Sequence, residues 1–232
     1  MRATSCPDGL VSVPDCYRAS VLGLRIAEVG LAILLVCLLP ACKPKELQAL
    51  LEPSRALSTV LAEEAVRLAG AKKQVALITP DASWGPPSVI EEYLKGALKK
   101  HGVTVVIAKA ADVGNPMFSG QIGLKAKDFF EALEKSAGAG AVISLAGAPL
   151  LKPGDAERVS PEHPPVLVVA TAMQGNKMGL RSDPEQLARL LEARVIQLAI
   201  IDGADPAAPP PGKSDAAHTL FAQNYSILRR PN

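Results

Sequence analysis

The sequence predicts an α/β protein, a single lobe built as a three-layer, doubly wound sheet of five parallel strands in the order 2-1-3-4-5. Five short runs are apolar at nearly every position, which is typical of strands buried on both faces. Amphipathic helical patterns lie between these runs, and right-handed crossovers then give helix layers on both sides of the sheet. The hydrophobic share of 48% and the charged share of 21% are those of a globular chain, which excludes disorder of the whole protein.

The first 42 residues form a separate segment. All four cysteines, Cys6, Cys16, Cys37 and Cys42, lie there, which excludes a disulfide framework or a cysteine zinc site in the rest of the chain. Residues 29–41 are uncharged and mostly apolar. A bilayer-spanning helix needs about 20 such residues, so the length favours the apolar region of a secretory signal.

The end of that run, Leu39-Pro40-Ala41-Cys42, resembles the lipobox of bacterial lipoproteins. The resemblance implies removal of a signal peptide over residues 1–41, a diacylglyceryl thioether on Cys42, and a protein held at the membrane on the periplasmic side of the cell envelope. Residues 42–53 would then form a tether. Two alternatives stay open: an uncleaved signal anchor, and a secreted protein in which the cysteine is incidental.

The lobe is predicted over residues 54–202, where helical and strand patterns alternate. An apolar stripe that ends before Gly70 predicts the first helix. Ser88 with Glu91 forms a capping box at the start of the second helix, and Asp183 with Gln186 forms another. The predicted helices span 54–69, 88–101, 125–137 and 183–193. The predicted strands are the apolar runs 74–79, 103–108, 141–146, 166–171 and 195–201.

Beyond the fifth strand, composition changes twice. Residues 203–217 are rich in Ala and Pro and predict a linker. Residues 218–232 include the partly apolar run 219–228, TLFAQNYSIL, which we expect to pack back on the lobe as an extended strap.

From about Leu61 to Pro206, the order of segments resembles one lobe of the type I periplasmic binding proteins, particularly those that bind sugars. The resemblance rests on LAEEAVRLAGAKKQVALIT, EEYLKGALKKHGVTVV, FFEALEKSAGAGAVISLAG and LEARVIQLAIIDGADP. It implies non-catalytic binding of a small molecule for a transport or sensing system. In that family two lobes close around the ligand, whereas this length accommodates one. Either a partner such as a transporter component supplies the second lobe, or the fold serves as a scaffold without a ligand.

In open parallel sheets, ligands bind beyond the carboxyl ends of the strands. The sequence places polar residues there that suit a sugar or polyol, because carboxylates and amides bind hydroxyls and a tryptophan stacks on a sugar face. Turn formation and core packing are the alternative roles for the same residue types. The candidates are Asp81, Ser83, Trp84, Thr171, Gln174, Asn176 and Asp202.

Other functional classes have little support. A net charge of +2 and an aromatic share of 3% give no case for binding nucleic acid. His101, His163 and His218 lack the spacing of metal ligands, and no nucleotide or cofactor motif and no hydrolase nucleophile motif occurs. We therefore expect an envelope lipoprotein with a substrate-binding lobe. A scaffold lipoprotein is the alternative, and an envelope enzyme is a third, weaker one.

Overall fold

Helices cover both faces of a mostly parallel sheet. The computed structural model describes residues 45–81, 88–114, 122–174, 177–203 and 216–230. The helices are α1 (Lys45–Ala69), α2 (Val89–Lys100), α3 (Ala126–Lys135), α4 (Pro184–Glu192) and α5 (Ala216–Asn224). The strands are β1 (Gln74–Pro80), β2 (Thr104–Ala111), β3 (Leu124–Lys125), β4 (Ala141–Ser144), β5 (Pro149–Leu150), β6 (Val166–Ala170), β7 (Met173–Gln174), β8 (Lys177–Met178), β9 (Leu198–Asp202) and β10 (Tyr225–Arg229).

The main sheet has six strands in the order β2-β1-β4-β6-β9-β10, and all neighbours are parallel except β9 and β10. The prediction of five strands ordered 2-1-3-4-5 is therefore wrong for the complete sheet. The additional strand comes from the C-terminal segment, in which Tyr225 pairs with Asp202 and Arg229 with Leu198.

Two apolar clusters lie on opposite sides of this sheet. One contains the inward faces of α1, α2 and α5, and the other those of α3 and α4. The strands contribute alternate residues to the two clusters, as the pleat requires: Leu77 and Ile143 pack on one side, and Ile78 and Val142 on the other. Because both faces are covered, the central strands are apolar throughout.

The C-terminal segment is only partly extended. Residues 216–224 form helix α5, where we expected the strap to be extended, and only residues 225–229 form a strand. Phe221 and Tyr225 are buried, and their ring centroids lie 5.5 Å apart. The segment covers the edge of β9, which a strap without backbone pairing would leave open.

Ion pairs join the C-terminal segment to α1. The Arg229 guanidinium donates to both carboxylate oxygens of Glu64, at 2.6 and 3.0 Å, and Arg67 donates to the same carboxylate. At the preceding residue of α1, His218 Nε2 lies 2.8 Å from Glu63 Oε2. The contacts of Arg229 and His218 link residues that are far apart in the sequence.

Several element boundaries differ from the predicted ones. Helix α1 begins at Lys45 instead of residue 54 and includes Pro53. Ser88 is the N-cap of α2 and accepts from the Glu91 amide, as predicted. The other half of the predicted capping box, a hydrogen bond from the Ser88 amide to the Glu91 side chain, was wrong. The Glu91 carboxylate accepts from Lys95 Nζ instead, at 2.6 Å.

The second capping box differs in the same way. The Asp183 side chain accepts from the Glu185 amide at the start of α4. Gln186, however, donates to Pro149 O instead of reaching back to the cap. Among the described residues, no helix is both long enough and apolar enough to cross a membrane.

Candidate functional site

The carboxyl ends of β1 and β4 mark the point where the chain changes direction across the sheet. From β1 the chain passes through α2 to β2 on one side, and from β2 it passes through α3 to β4 on the other. Helix α2, which follows β1, packs on one face, whereas Ala148 and Leu151, which follow β4, pack on the other, so the connections after β1 and β4 diverge. In open α/β sheets, the crevice between such diverging loops is the usual ligand site.

A tight turn follows β4 at this point. The Ser144 hydroxyl donates to Gly147 O at 2.6 Å, and the Leu145 amide donates to Ile78 O of β1 at 2.8 Å. Gly147 has a positive φ of 74°, and a Cβ there would lie 3.0 Å from Leu180 Cβ. The turn ends the predicted strand 141–146 early, at Ser144.

Three of the predicted binding residues bond to nearby backbone at this edge. The Asp202 carboxylate accepts from the Ala172 amide at 2.7 Å and from Arg181 Nε at 2.9 Å. Gln174 is buried and donates through Nε2 to Leu145 O at 2.9 Å, which joins the loop after β6 to the loop after β4. Thr171, also buried, donates to Met173 O within its own loop.

The same edge is closely packed around residue 179. The Gly179 amide donates to Ala172 O, and a Cβ at Gly179 would lie 2.1 Å from Thr171 O. Such a distance is shorter than any van der Waals contact, so only glycine fits without a shift of the backbone. The short hairpin β7–β8, which pairs Gln174 with Lys177, leads into this position.

The other side of the crevice carries charged groups. Asp81 directly follows β1, and its amide donates to Ala111 O at the end of β2. Lys125 Nζ lies 2.7 Å from Asp112 Oδ2. This hydrogen bond is the largest factor that raises the pKa of Lys125, and the negative charges of Asp112, Asp128 and Asp81 raise it further. The same hydrogen bond lowers the pKa of Asp112.

At the far end of the edge, Tyr225 of β10 pairs with Asp202 of β9. Burial of the phenol raises the pKa of Tyr225, and the charge of Asp202 adds to the effect. The described edge therefore contains acceptors from carboxylates and carbonyl groups, donors from backbone amides, and the cations of Lys125 and Arg181. Groups of these types can bind and orient a polar molecule, and the Ser144 and Thr171 hydroxyls both donate to carbonyl groups of nearby backbone.

Of the seven predicted ligand-binding residues, four lie within the described part, and all four are at the carboxyl edge. They are Asp81, Thr171, Gln174 and Asp202. Ser83, Trp84, Asn176 and the predicted lipid site Cys42 lie outside the described residues. Sequence reasoning missed Ser144 and Arg181. Ser144 could have been found from its place at the end of an apolar run, three residues before a glycine. No feature of the sequence pointed to Arg181.

Among the described residues, no group of three or more His, Cys, Asp or Glu side chains is arranged to hold a metal ion. No model of a known protein family matches the sequence. A search of curated protein sequences finds no significant match either.

Proposed function

We propose that this protein is an envelope lipoprotein, anchored through Cys42, whose α/β lobe binds a small sugar or polyol without catalysis for a transport or sensing system. The observation that carries the proposal is the carboxyl edge itself. The described residues that directly follow β1, β4 and β6, and the end of β9, lie along one edge, and the crevice between β1 and β4 is flanked by Asp81 and by the turn at Gly147.

The internal hydrogen bonds of this edge support binding with little rearrangement. Gln174 ties the residues after β6 to the turn after β4, and Asp202 ties them to the end of β9, so a ligand would meet preformed polar groups. Preorganisation of this kind lowers the entropic cost of binding. In this proposal, Asp81 accepts hydrogen bonds from ligand hydroxyl groups.

Ligand binding is tested by thermal unfolding of the purified full chain with a panel of sugars and polyols. A ligand at 100 times its Kd adds about 2.7 kcal/mol to the free energy of unfolding, which raises the Tm of a chain of this size by roughly 5–10 °C. In Asp81→Asn, a tenfold loss of affinity would reduce the added stability to about 1.4 kcal/mol. Glu92→Gln, an exposed change on α2, serves as the control and keeps the full shift. A Tm that no member of the panel changes would contradict ligand binding.

The anchor is tested separately by mass spectrometry of the chain isolated from the membrane fraction. We expect a polypeptide that begins at Cys42 and carries the added mass of a diacylglyceryl group. Cys42→Ser removes that mass, whereas Cys37→Ser, a matched change in the predicted signal, does not. An intact N-terminus with unmodified Cys42 would refute the anchor and leave the ligand-binding proposal untouched.

A scaffold role is the second candidate, and one observation favours it. Thr171, Gln174 and Asp202 each use side-chain atoms to hold neighbouring backbone, which is what a purely structural edge requires. A flat thermal response across the panel, with a lipidated Cys42, is the result that a scaffold lipoprotein predicts.

A further inference from the structure

The outer edge of β2 has backbone groups that face away from the sheet. Strand β2 pairs with β1 on one side, and among the described residues no strand pairs with its other side. The Thr104 amide donates inward to Lys73 O at 2.9 Å. Because these groups alternate along a strand, the backbone N–H and C=O of Val105 and Ile107 point outward.

The side chains of the same residues form an apolar stripe beside α2. Val103, Val105 and Ile107 line a groove of about 300 Å³, together with Lys95 and Lys99. Ile107 is 48% exposed, so its side chain adds apolar surface to this groove. Apolar surface and unpaired backbone therefore coincide over residues 104–107.

The remainder of the edge is protected in the usual ways. The register with β1 shifts between Leu77 and Ile78, which leaves an extra residue at Ala108. Beyond it, Lys109 Nζ lies 2.9 Å from Asp128 and 2.7 Å from Glu131. Bulges and charged side chains prevent strand addition, so the accessible stretch ends at Ile107.

The charges at the groove indicate whether a partner is acidic or basic. Lys95 is paired with Glu91, but Lys99 makes no ion pair with any residue in the described ranges, and no carboxylate lines the groove. A second copy of this chain, paired through the same edge, would bring another Lys99 to the same seam. Like charges there disfavour self-association and favour an acidic partner.

We propose that residues 104–107 of β2 bind an extended segment of another protein that presents apolar and acidic side chains towards α2. The segment adds a strand to the sheet through the outward groups of Val105 and Ile107. Its apolar side chains contact the stripe, and its carboxylate meets Lys99. The proposal is independent of a ligand at the carboxyl edge, because β2 meets the partner along its side.

The test uses the full chain and a capped heptapeptide, Thr-Val-Thr-Glu-Thr-Val-Thr, whose second, fourth and sixth side chains share one face. With millimolar peptide, we expect amide hydrogen exchange at Val105 and Ile107 to slow by at least about threefold, while exchange at the already bonded Thr104 amide changes little. A peptide with Lys in place of Glu gives less than half of this protection. Unchanged exchange with the Glu peptide, or equal protection by the Lys peptide, would overturn the proposal.

Variants separate the contributions. Lys99→Glu reduces protection by the Glu peptide and increases it for the Lys peptide, whereas the same change at Lys127, which is 85% exposed on α3, alters neither. Ile107→Lys abolishes the protection given by the Glu peptide. Val105→Pro removes one outward N–H and leaves the hydrogen bonds between β1 and β2 intact. Slow exchange at these amides without peptide, dependent on protein concentration, would show that a second copy occupies the edge and would refute the proposal.

Discussion

Asp202, one of the predicted ligand-binding residues, holds neighbouring backbone at the carboxyl edge. Its carboxylate is 31% exposed and accepts from a backbone amide and from the guanidinium of Arg181, which is 70% exposed. An ion pair as exposed as this contributes about 0–1 kcal/mol, whereas loss of the acceptor leaves the Ala172 amide without its partner. The amide hydrogen bond is therefore the more important of the two.

We expect Asp202→Ala to lower the free energy of unfolding by about 1–3 kcal/mol. Arg181→Met, which removes only the ion pair, should lower it by less than about 1 kcal/mol. Urea unfolding of both variants measures the difference. Equal losses in the two variants would show that the ion pair, and not the amide hydrogen bond, stabilises this edge.

Two glycines give opposite predictions for the same substitution. At Gly179 a new Cβ would lie 2.1 Å from Thr171 O, so Gly179→Ala forces the backbone apart and should cost about 1–3 kcal/mol. At Gly96, inside α2, a new Cβ meets nothing within 4 Å. Gly96→Ala should add about 0.5–1 kcal/mol, because alanine is the better helix former. Thermal unfolding of both variants tests this pair, and a neutral Gly179→Ala would contradict the packing described for the edge.

At the scale of elements, the link between α1 and β10 makes stability depend on pH. Burial tends to raise the pKa of Glu64, but the hydrogen bonds from Arg229 and Arg67, together with the positive charges of both, outweigh it and lower the pKa below the ordinary value of 4.5. A carboxylate whose pKa is lower in the folded state stabilises the fold above its unfolded pKa, and this contribution is lost as the pH falls through the folded pKa.

Glu64→Gln should therefore lower the free energy of unfolding at pH 7 by about 1–2 kcal/mol and flatten its decline between about pH 5 and pH 3. Urea unfolding at several pH values measures both effects. Glu134→Gln, an exposed change on α3, should leave the pH profile unchanged. An acid profile identical in wild type and Glu64→Gln would show that the ion pairs do not hold the C-terminal segment.

The predicted elements failed where tertiary contacts decide the structure. The apolar runs located the five parallel strands because burial on both faces leaves a local pattern. The tail left no such pattern: β10 forms because β9 offers an open edge and because Arg229 meets Glu64, a residue far away in the sequence. The fifth strand was predicted to start at Val195 but starts at Leu198, because the amides of Val195 and Ile196 donate to Leu190 O at the end of α4.

For the whole molecule, topology made the candidate site partly predictable. Parallel strands bring their carboxyl ends to one edge, so the residues after each apolar run could be assigned to that edge without knowledge of any contact. The role of each residue could not be assigned in this way. Thr171 and Gln174 are buried and bonded to neighbouring backbone, which depends on the path of loops that carry no periodic pattern.

Amide chemical-shift mapping of the full chain, titrated with sugars and polyols, is the sharpest test of ligand binding at the carboxyl edge, because it locates binding as well as detecting it. We expect the largest shifts at Asp81 and at residues 145–148, and we expect Asp81→Asn to weaken binding while Glu92→Gln does not. A titration that shifts no amide, or one whose shifts are confined to the opposite edge of the sheet near Lys72 and His101, would contradict binding at the carboxyl edge.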